Sequence, residues 1–251
     1  MNGTLRKTAF YLALIGIWAA ASSAGIWESY EFPSPGAVLQ TLWSGIADGS
    51  FLTGMAVSLR RIALGYGLSI VAGTLLGIAI GSVKLLDETL GSLIQGLQAL
   101  PSICWLPLAV IWFGLNEGAI LFVVVMGAIL AVAISTDSGI KNVSPLYIRA
   151  ARNMGVGGVT LYRRVILPAA FPSIVTGMKL GWSFAWRALM AGELLFVGLG
   201  LGHLLMVGRD LNDMSQVVAV MLIIVTIGML ADRFIFSRLE DRIRSRWGLA
   251  V

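Results

Sequence analysis

Residues 118–136 read GAILFVVVMGAILAVAIST, nineteen positions without a charge. A stretch of about 18 or more uncharged, mostly apolar residues is long enough to cross a bilayer as a helix, which satisfies its own backbone hydrogen bonds. Working outward, similar runs lie at about 8–27, 56–83, 89–112, 169–196 and 214–231. The chain is 57% hydrophobic and 12% charged, with a mean hydropathy of +0.87. A soluble domain is about 45–50% apolar and about 25% charged, so a water-soluble fold is excluded. The reading is an all-α integral membrane protein of about six transmembrane helices, residues 1–251 forming a single transmembrane domain. The single cysteine, Cys104, and single histidine, His203, exclude a disulfide framework and a Cys/His metal cluster. The first run ends in Ala21-Ser22-Ser23-Ala24 and shares features with a secretory signal; an uncleaved anchor is the preferred reading.

Basic residues set the orientation, because short cytoplasmic loops are enriched in Lys and Arg. With both termini inside, 13 of the 18 basic residues fall on the cytoplasmic side, among them Lys84, Lys141, Arg149, Arg152, Arg163, Arg164 and the arginines of the C-terminal end. Glu28, Glu31, Asp48, Glu117, Asp210 and Asp213 fall on the other. The net charge of +5 therefore reflects topology, and charges spread over loops do not form a nucleic-acid surface.

Three features go beyond hydrophobicity. Pro101 and Pro107 interrupt the third run, predicting a kinked or broken helix. Gly65, Ser69, Gly73, Gly77 and Gly81 recur every four residues, giving the second span a nearly bare face for close packing, preferably against a helix of the same chain. The fifth run carries Lys179, Arg187 and Glu193. At 100° per residue, Lys179, Trp182, Trp186 and Glu193 share a stripe about 60° wide, Arg187 projects about 80° from Lys179, and Ser173, Gly177, Gly181 and Ala185 lie roughly opposite. Charges at such depth point to a water-filled path or to partner charges, and snorkelling is a further reading for Lys179. With Arg60 and Arg61 they are the candidate pathway residues, and their positive field favours an anion.

The long polar stretch between the fourth and fifth spans, about 137–167, exceeds what a helix-to-helix turn needs. Ser144-Pro145 reads as a cap and first-turn proline, Tyr147 to Met154 as a short helix, and Gly155, Gly157 and Gly158 as its stop. A second short segment, Leu161 to Leu167, is expected to end at Pro168. The short helix is expected to present Ala150 and Ala151 as a close-contact surface and to pass movement to the fifth span.

Here the sequence resembles the permease subunits of binding-protein-dependent ABC importers, in the nitrate, taurine and aliphatic sulfonate branch. Their signature is Glu-Ala-Ala, three residues, Gly, nine residues, then an aliphatic residue, any residue and Leu-Pro. Arg149-Ala150-Ala151, Gly155 and Val165-Ile166-Leu167-Pro168 match its spacing, with the leading Glu replaced by Arg149. Phe32-Pro33-Ser34-Pro35, Ser58-Leu59-Arg60-Arg61, Pro101, Trp105-Leu106-Pro107-Leu108, Trp112-Phe113-Gly114, Pro172, Gly177, Glu193 and Trp247 extend the resemblance over nearly the whole chain. It implies a type I importer permease fold in the bacterial cytoplasmic (inner) membrane. It also implies an ATPase-coupling element carrying Tyr147, Arg149, Ala150, Ala151, Met154, Gly155, Leu167 and Pro168.

A phosphate-cradling loop needs Gly followed by Lys, and none of Lys7, Lys84, Lys141 and Lys179 follows a glycine. The chain is therefore expected to be no enzyme and to hold no cofactor, with ATP and Mg in partner ATPases. The expected assembly is two copies of this chain, two ATPase subunits and an extracytoplasmic solute-binding protein, importing a sulfonate, taurine or nitrate-like solute. A vitamin precursor such as a pyrimidine is a further candidate. The alternatives are a stand-alone secondary transporter or channel, which also uses broken helices and buried charges, and an intramembrane protease. The latter reading has only Ser183 and His203 to build from.

Overall fold

The structure, a computed structural model, describes residues 3–28, 30–196 and 198–246; Trp247 and the side chains of Arg244 and Arg246 lie outside the described residues. Every regular element among the described residues is helical. In chain order they are α1 (Gly3–Ser23), α2 (Pro35–Ala47), α3 (Ser50–Ser82), α4 (Lys84–Gln98), α5 (Ser102–Phe113), α6 (Glu117–Lys141), α7 (Pro145–Asn153), α8 (Gly158–Leu195), α9 (Leu201–Asp210) and α10 (Met214–Ile243). Helices α3, α6, α8 and α10 are long and apolar enough to cross a membrane, and α4 with α5, bent by 108°, makes a fifth crossing if the pair is one span. The expectation of about six included the first run. That run forms α1, a 21-residue helix whose start carries Arg6 and Lys7 and which is not among these candidates.

The chain divides into two compact units, Met1–Ser58 with Glu193–Ile227, and Leu59–Gly192 with Gly228–Val251. In the first, Ser34 caps α2 by accepting from the Ala37 N–H at 3.2 Å, and Pro35 takes the first turn, where no donor is needed. The Trp18 indole N–H donates to the Pro33 carbonyl at 2.9 Å, tying α1 to that cap. The Gln216 amide likewise donates to the Leu204 carbonyl of α9 at 2.9 Å.

In the second unit α6 packs against both α3 and α8, which also touch each other where the Tyr66 hydroxyl donates to the Met178 carbonyl at 2.6 Å. The bare face of α3 meets α6: a Cβ at Gly73 would stand 2.8 Å from the Ile129 carbonyl oxygen, and one at Gly77 would stand 2.5 Å from that of Ala133. The expected partner helix in the same chain is therefore α6. On an adjoining face, the small side of α8 packs against the same helix, Gly177 over Ser135 and Gly181 over Val132, while Gly127 and Gly139 of α6 return the fit against Ala188 and Ser173. Ala128, Val132 and Ala133 are fully enclosed as a result. Ile80, Ile94 and Leu130 form a further cluster that seats α4 beside α3 and α6.

Pro107 starts a helix instead of interrupting one: it sits in the first turn of the segment Leu106–Phe113. The break lies at 99–101, where Pro101 is extended (φ −55°, ψ 137°). A break expected at Pro168 is absent. Helix α8 runs through it, with a π-turn at Tyr162–Ile166 just before the ring. A widened turn there relieves the clash that proline makes with the carbonyl four residues back.

The close approach predicts opposite effects at two glycines of α3. Gly77→Leu should overpack the α3–α6 contact at a cost of roughly 1–3 kcal/mol, whereas Gly67→Ala, with nothing within 4 Å of the added carbon, should be neutral or stabilising by up to about 1 kcal/mol. Thermal unfolding of the detergent-solubilised variants checks both; equal melting temperatures would refute the packing account.

Candidate functional site

Helix α7 is fixed at both ends by its own sequence. The Ser144 hydroxyl accepts from the Leu146 N–H, and Pro145 occupies the first turn. At the other end the Gly155 N–H donates to Arg152 and the Val156 N–H to Ala151, each at 2.9 Å, and Gly155 has φ +80°. This paired closure needs the left-handed residue that glycine supplies, and it places Val156 back on the helix. Ala151 is only 2% exposed, in a cluster with Val143, Leu161, Ile166, Ala170 and Ile174 against which Ile148, Val156 and Tyr162 also pack. That corrects one expectation: Ala151 faces the chain's own core, because it is the helix position that meets the start of α8. Ala150 is exposed, and so are Leu146, Tyr147 and Met154. At spacings of three and four residues these form one apolar stripe. Arg149 is exposed beside it and makes no ion pair among the described residues. Leu167 and Pro168 are half-buried inside α8.

Most of the candidate pathway residues have partners inside their own unit. Arg60 pairs with Glu117, whose Oε1 also lies 3.3 Å from Arg61 Nε. Lys179 lies 3.4 Å from Asp232 and 3.2 Å from Glu240 of α10. Trp182 and Trp186 stack at 5.8 Å, and Trp182 packs edge-on to Tyr66 and against Phe236. Lys179, Trp182 and Trp186 thus lie along a seam between α8 and the end of α10. Sequence reasoning missed Asp232 and Glu240. Their eight-residue spacing, two turns of one helix, was the available signal.

Glu193 is 1% exposed, in the other unit. The Ser58 hydroxyl lies 2.9 and 2.7 Å from its two oxygens and donates to one of them, while the Gly202 N–H donates at 3.0 Å. Ser58 in turn accepts from the Leu201 N–H at 2.9 Å. A Cβ at Gly200 would stand 2.7 Å from this carboxylate, and one at Gly202 would stand 2.5 Å from the Glu193 Cβ. The carboxylate therefore holds the glycine-rich loop and the start of α9, which explains the glycines there.

Arg187 differs from the other cations. It is exposed, its Nε donates to the Ser183 carbonyl at 3.0 Å, and its guanidinium lies 5.0 Å from the Phe184 ring centroid. It borders a cavity of about 250 Å³ at the α4–α5 break. Among the described residues, no group of His, Cys, Asp and Glu is arranged to hold a metal.

Residues 69–245 match the family described as "Binding-protein-dependent transport system inner membrane component". The chain belongs to that family. It is a multi-pass membrane permease subunit of the ABC importer class. It is 31% identical to a protein of Escherichia coli provisionally named aliphatic sulfonates transport permease protein SsuC, over 98% of this chain and 94% of that one. It is 30% identical to the nitrate import permease protein NrtB of Leptolyngbya laminosa, over 91% and 85% of the two chains. In fold it matches a chain of the MetNI methionine ABC transporter in an inward-facing conformation, with a TM-score of 0.67 at 18% identity, covering 77% of this chain and 95% of that one. These matches bear out the type I importer permease fold and the branch expected from the sequence.

Removing the anchor of the glycine loop in this permease should loosen it locally. Glu193→Ala leaves the Ser58 hydroxyl and the Gly202 N–H without their acceptor, a loss of about 1–3 kcal/mol, and Gly202→Ala should act alike by steric contact. Hydrogen exchange is expected to quicken over 200–210 and stay unchanged over 120–136; unchanged exchange over 200–210 would show that the carboxylate does not hold the loop.

Proposed function

We propose that two copies of this chain form the translocation pathway of an ATP-driven importer for a small oxyanion or zwitterion of the sulfonate, taurine and nitrate kind. Helix α7 is the element that docks into each of two cytoplasmic ATPase subunits. The observation that carries this reading is the division of α7 into two faces. Ala151 and Ile148 are locked to the start of α8, while Leu146, Tyr147, Ala150 and Met154 leave an apolar stripe uncovered. An uncovered apolar stripe on a polar connecting segment marks a contact surface. Its rigid closure at Gly155 and Val156 lets force on α7 reach α8 without being absorbed by a flexible loop.

The remaining assignments follow from that docking. With α7 in the cytoplasm and the first run, α1, crossing as an anchor, both termini are cytoplasmic, in agreement with the distribution of Lys and Arg, and the chain is one transmembrane permease domain of the bacterial inner membrane. The opposite face receives a solute-binding protein. ATP and Mg belong to the ATPase partners, because no lysine of this chain follows a glycine. The substrate class follows the sulfonate and nitrate relatives. Of the candidate pathway residues, Arg187 is assigned to the path itself, Arg60, Arg61, Lys179, Trp182 and Trp186 to the helix seams that shape it, and Glu193 to the external loop.

The test is pull-down of the ATPase encoded with this permease. Ala150→Glu places a charge in the middle of the stripe and should reduce recovered ATPase at least about tenfold, the effect of roughly 1.4 kcal/mol, with the permease still inserted and monodisperse. Full recovery of ATPase by Ala150→Glu, or solute uptake by the permease alone, would overturn the docking reading.

A further inference from the structure

The cavity at the break between α4 and α5 is lined by polar residues from three helices. Gln98 ends α4, Ser102 and Trp105 open α5, and Arg187 comes from α8, with Phe184 and Met126 among the apolar walls. All of these residues belong to one compact unit. No Asp or Glu lines the cavity. The lining residues thus include side chains that carry an amide N–H, a hydroxyl, an indole N–H and a guanidinium, and among the described residues none of the first three has a side-chain hydrogen-bond partner.

Charge decides what such a space holds. Arg60, Lys141 and Lys179 each have a carboxylate partner. Arg187 makes no ion pair among the described residues, although it lies eight residues before the end of a helix that spans the bilayer. An arginine so placed is costly unless it faces water or meets a negative group. Its Nε is engaged by the Ser183 carbonyl and its plane by the Phe184 ring, which fixes the fork and leaves the terminal N–H groups for an anion that presents two oxygens at once. A cavity of about 250 Å³ lies just below the range of drug-sized sites, about 300–1,000 Å³, and suits a solute of a few heavy atoms.

We propose that this cavity is a subsite for the oxyanion head of the transported solute, a sulfonate or a group of like charge and shape, held by Arg187 with Gln98, Ser102 and Trp105. The assignment deepens the importer reading and rests on it for the word transported; anion binding itself does not require the ATPase.

The experiment uses the full-length chain in membrane vesicles with a single cysteine in the cavity, S102C combined with C104S. Modification rates are compared for 2-sulfonatoethyl methanethiosulfonate, itself an ethylsulfonate, and for its trimethylammonioethyl counterpart. With Arg187 present the anionic reagent is expected to react faster, and adding R187Q should lower the anion-to-cation rate ratio by about tenfold or more, as removal of a unit charge a few ångströms away demands. R187K should keep most of that ratio, which separates charge from misfolding. Excess methanesulfonate, against chloride at equal ionic strength, should slow labelling in the parent and not in R187Q. A ratio indifferent to R187Q, absence of methanesulfonate protection, or an S102C thiol that neither reagent reaches would each overturn the subsite. Labelling as expected in a chain that fails to recover ATPase or to import solute would instead overturn the importer reading and leave the anion site standing.

Discussion

The contact on which the rest depends is backbone against backbone along α6. Inside a bilayer there is no hydrophobic gain in burying leucine against leucine, so helices associate where their surfaces permit dense van der Waals contact. Small residues of α3 and small residues of α8 press on adjoining faces of α6, with Val132 touched by both. Once those three helices are set, the rest of their unit is placed by reference to them. Helix α4 is seated through Ile94 on Ile80 and Leu130, α7 hangs from the beginning of α8, and the end of α10 lies against the aromatic side of α8.

Electrostatics follows from the same geometry. A helix that spends one face on close packing has the opposite face left for its large and charged side chains. In α8 that face carries Lys179, and the last helix supplies Asp232 and Glu240 to meet it. Arg60 and Arg61 find Glu117 at the start of α6 in the same way. Buried or half-buried ions gain little net stability from such pairing but lose much without it, so these contacts fix which helix neighbours which more than they add to the strength of the fold.

The sequence was most legible where one residue type repeats at one spacing. The four-residue recurrence from Gly65 to Gly81 predicts a bare helix face, and the face is there. Ser144-Pro145 and Gly155 mark both ends of α7 because caps and left-handed turns have narrow residue requirements. Pro101 similarly marks the break. Pattern reading failed where the outcome depends on a distant part of the chain. Lys179 and Glu193 share a stripe on an ideal helix, yet one is met by α10 and the other by Ser58 and the loop after α8. Nothing in the local spacing distinguishes a charge facing a path from a charge facing a partner 61 positions later. Ala151 illustrates the same limit: its motif position suggests a contact surface, but which of two adjacent alanines turns inward is decided by where α8 begins. Pro168 was misread for a different reason, since a widened turn lets a helix carry a proline that would otherwise end it.

That widened turn also settles the angular phase of α8. Leu161, Ile166, Ala170 and Ile174 all enter the cluster around Ala151, although the first interval is five residues and the next two are four. On an uninterrupted α-helix, positions five apart diverge by about 140°, so Leu161 would be swung out of register with the three residues that follow. The additional residue of the π-turn absorbs the offset. One continuous helix is thereby indexed to two neighbours at once, gripping α7 at its beginning while presenting Ser173, Gly177 and Gly181 to α6 further along.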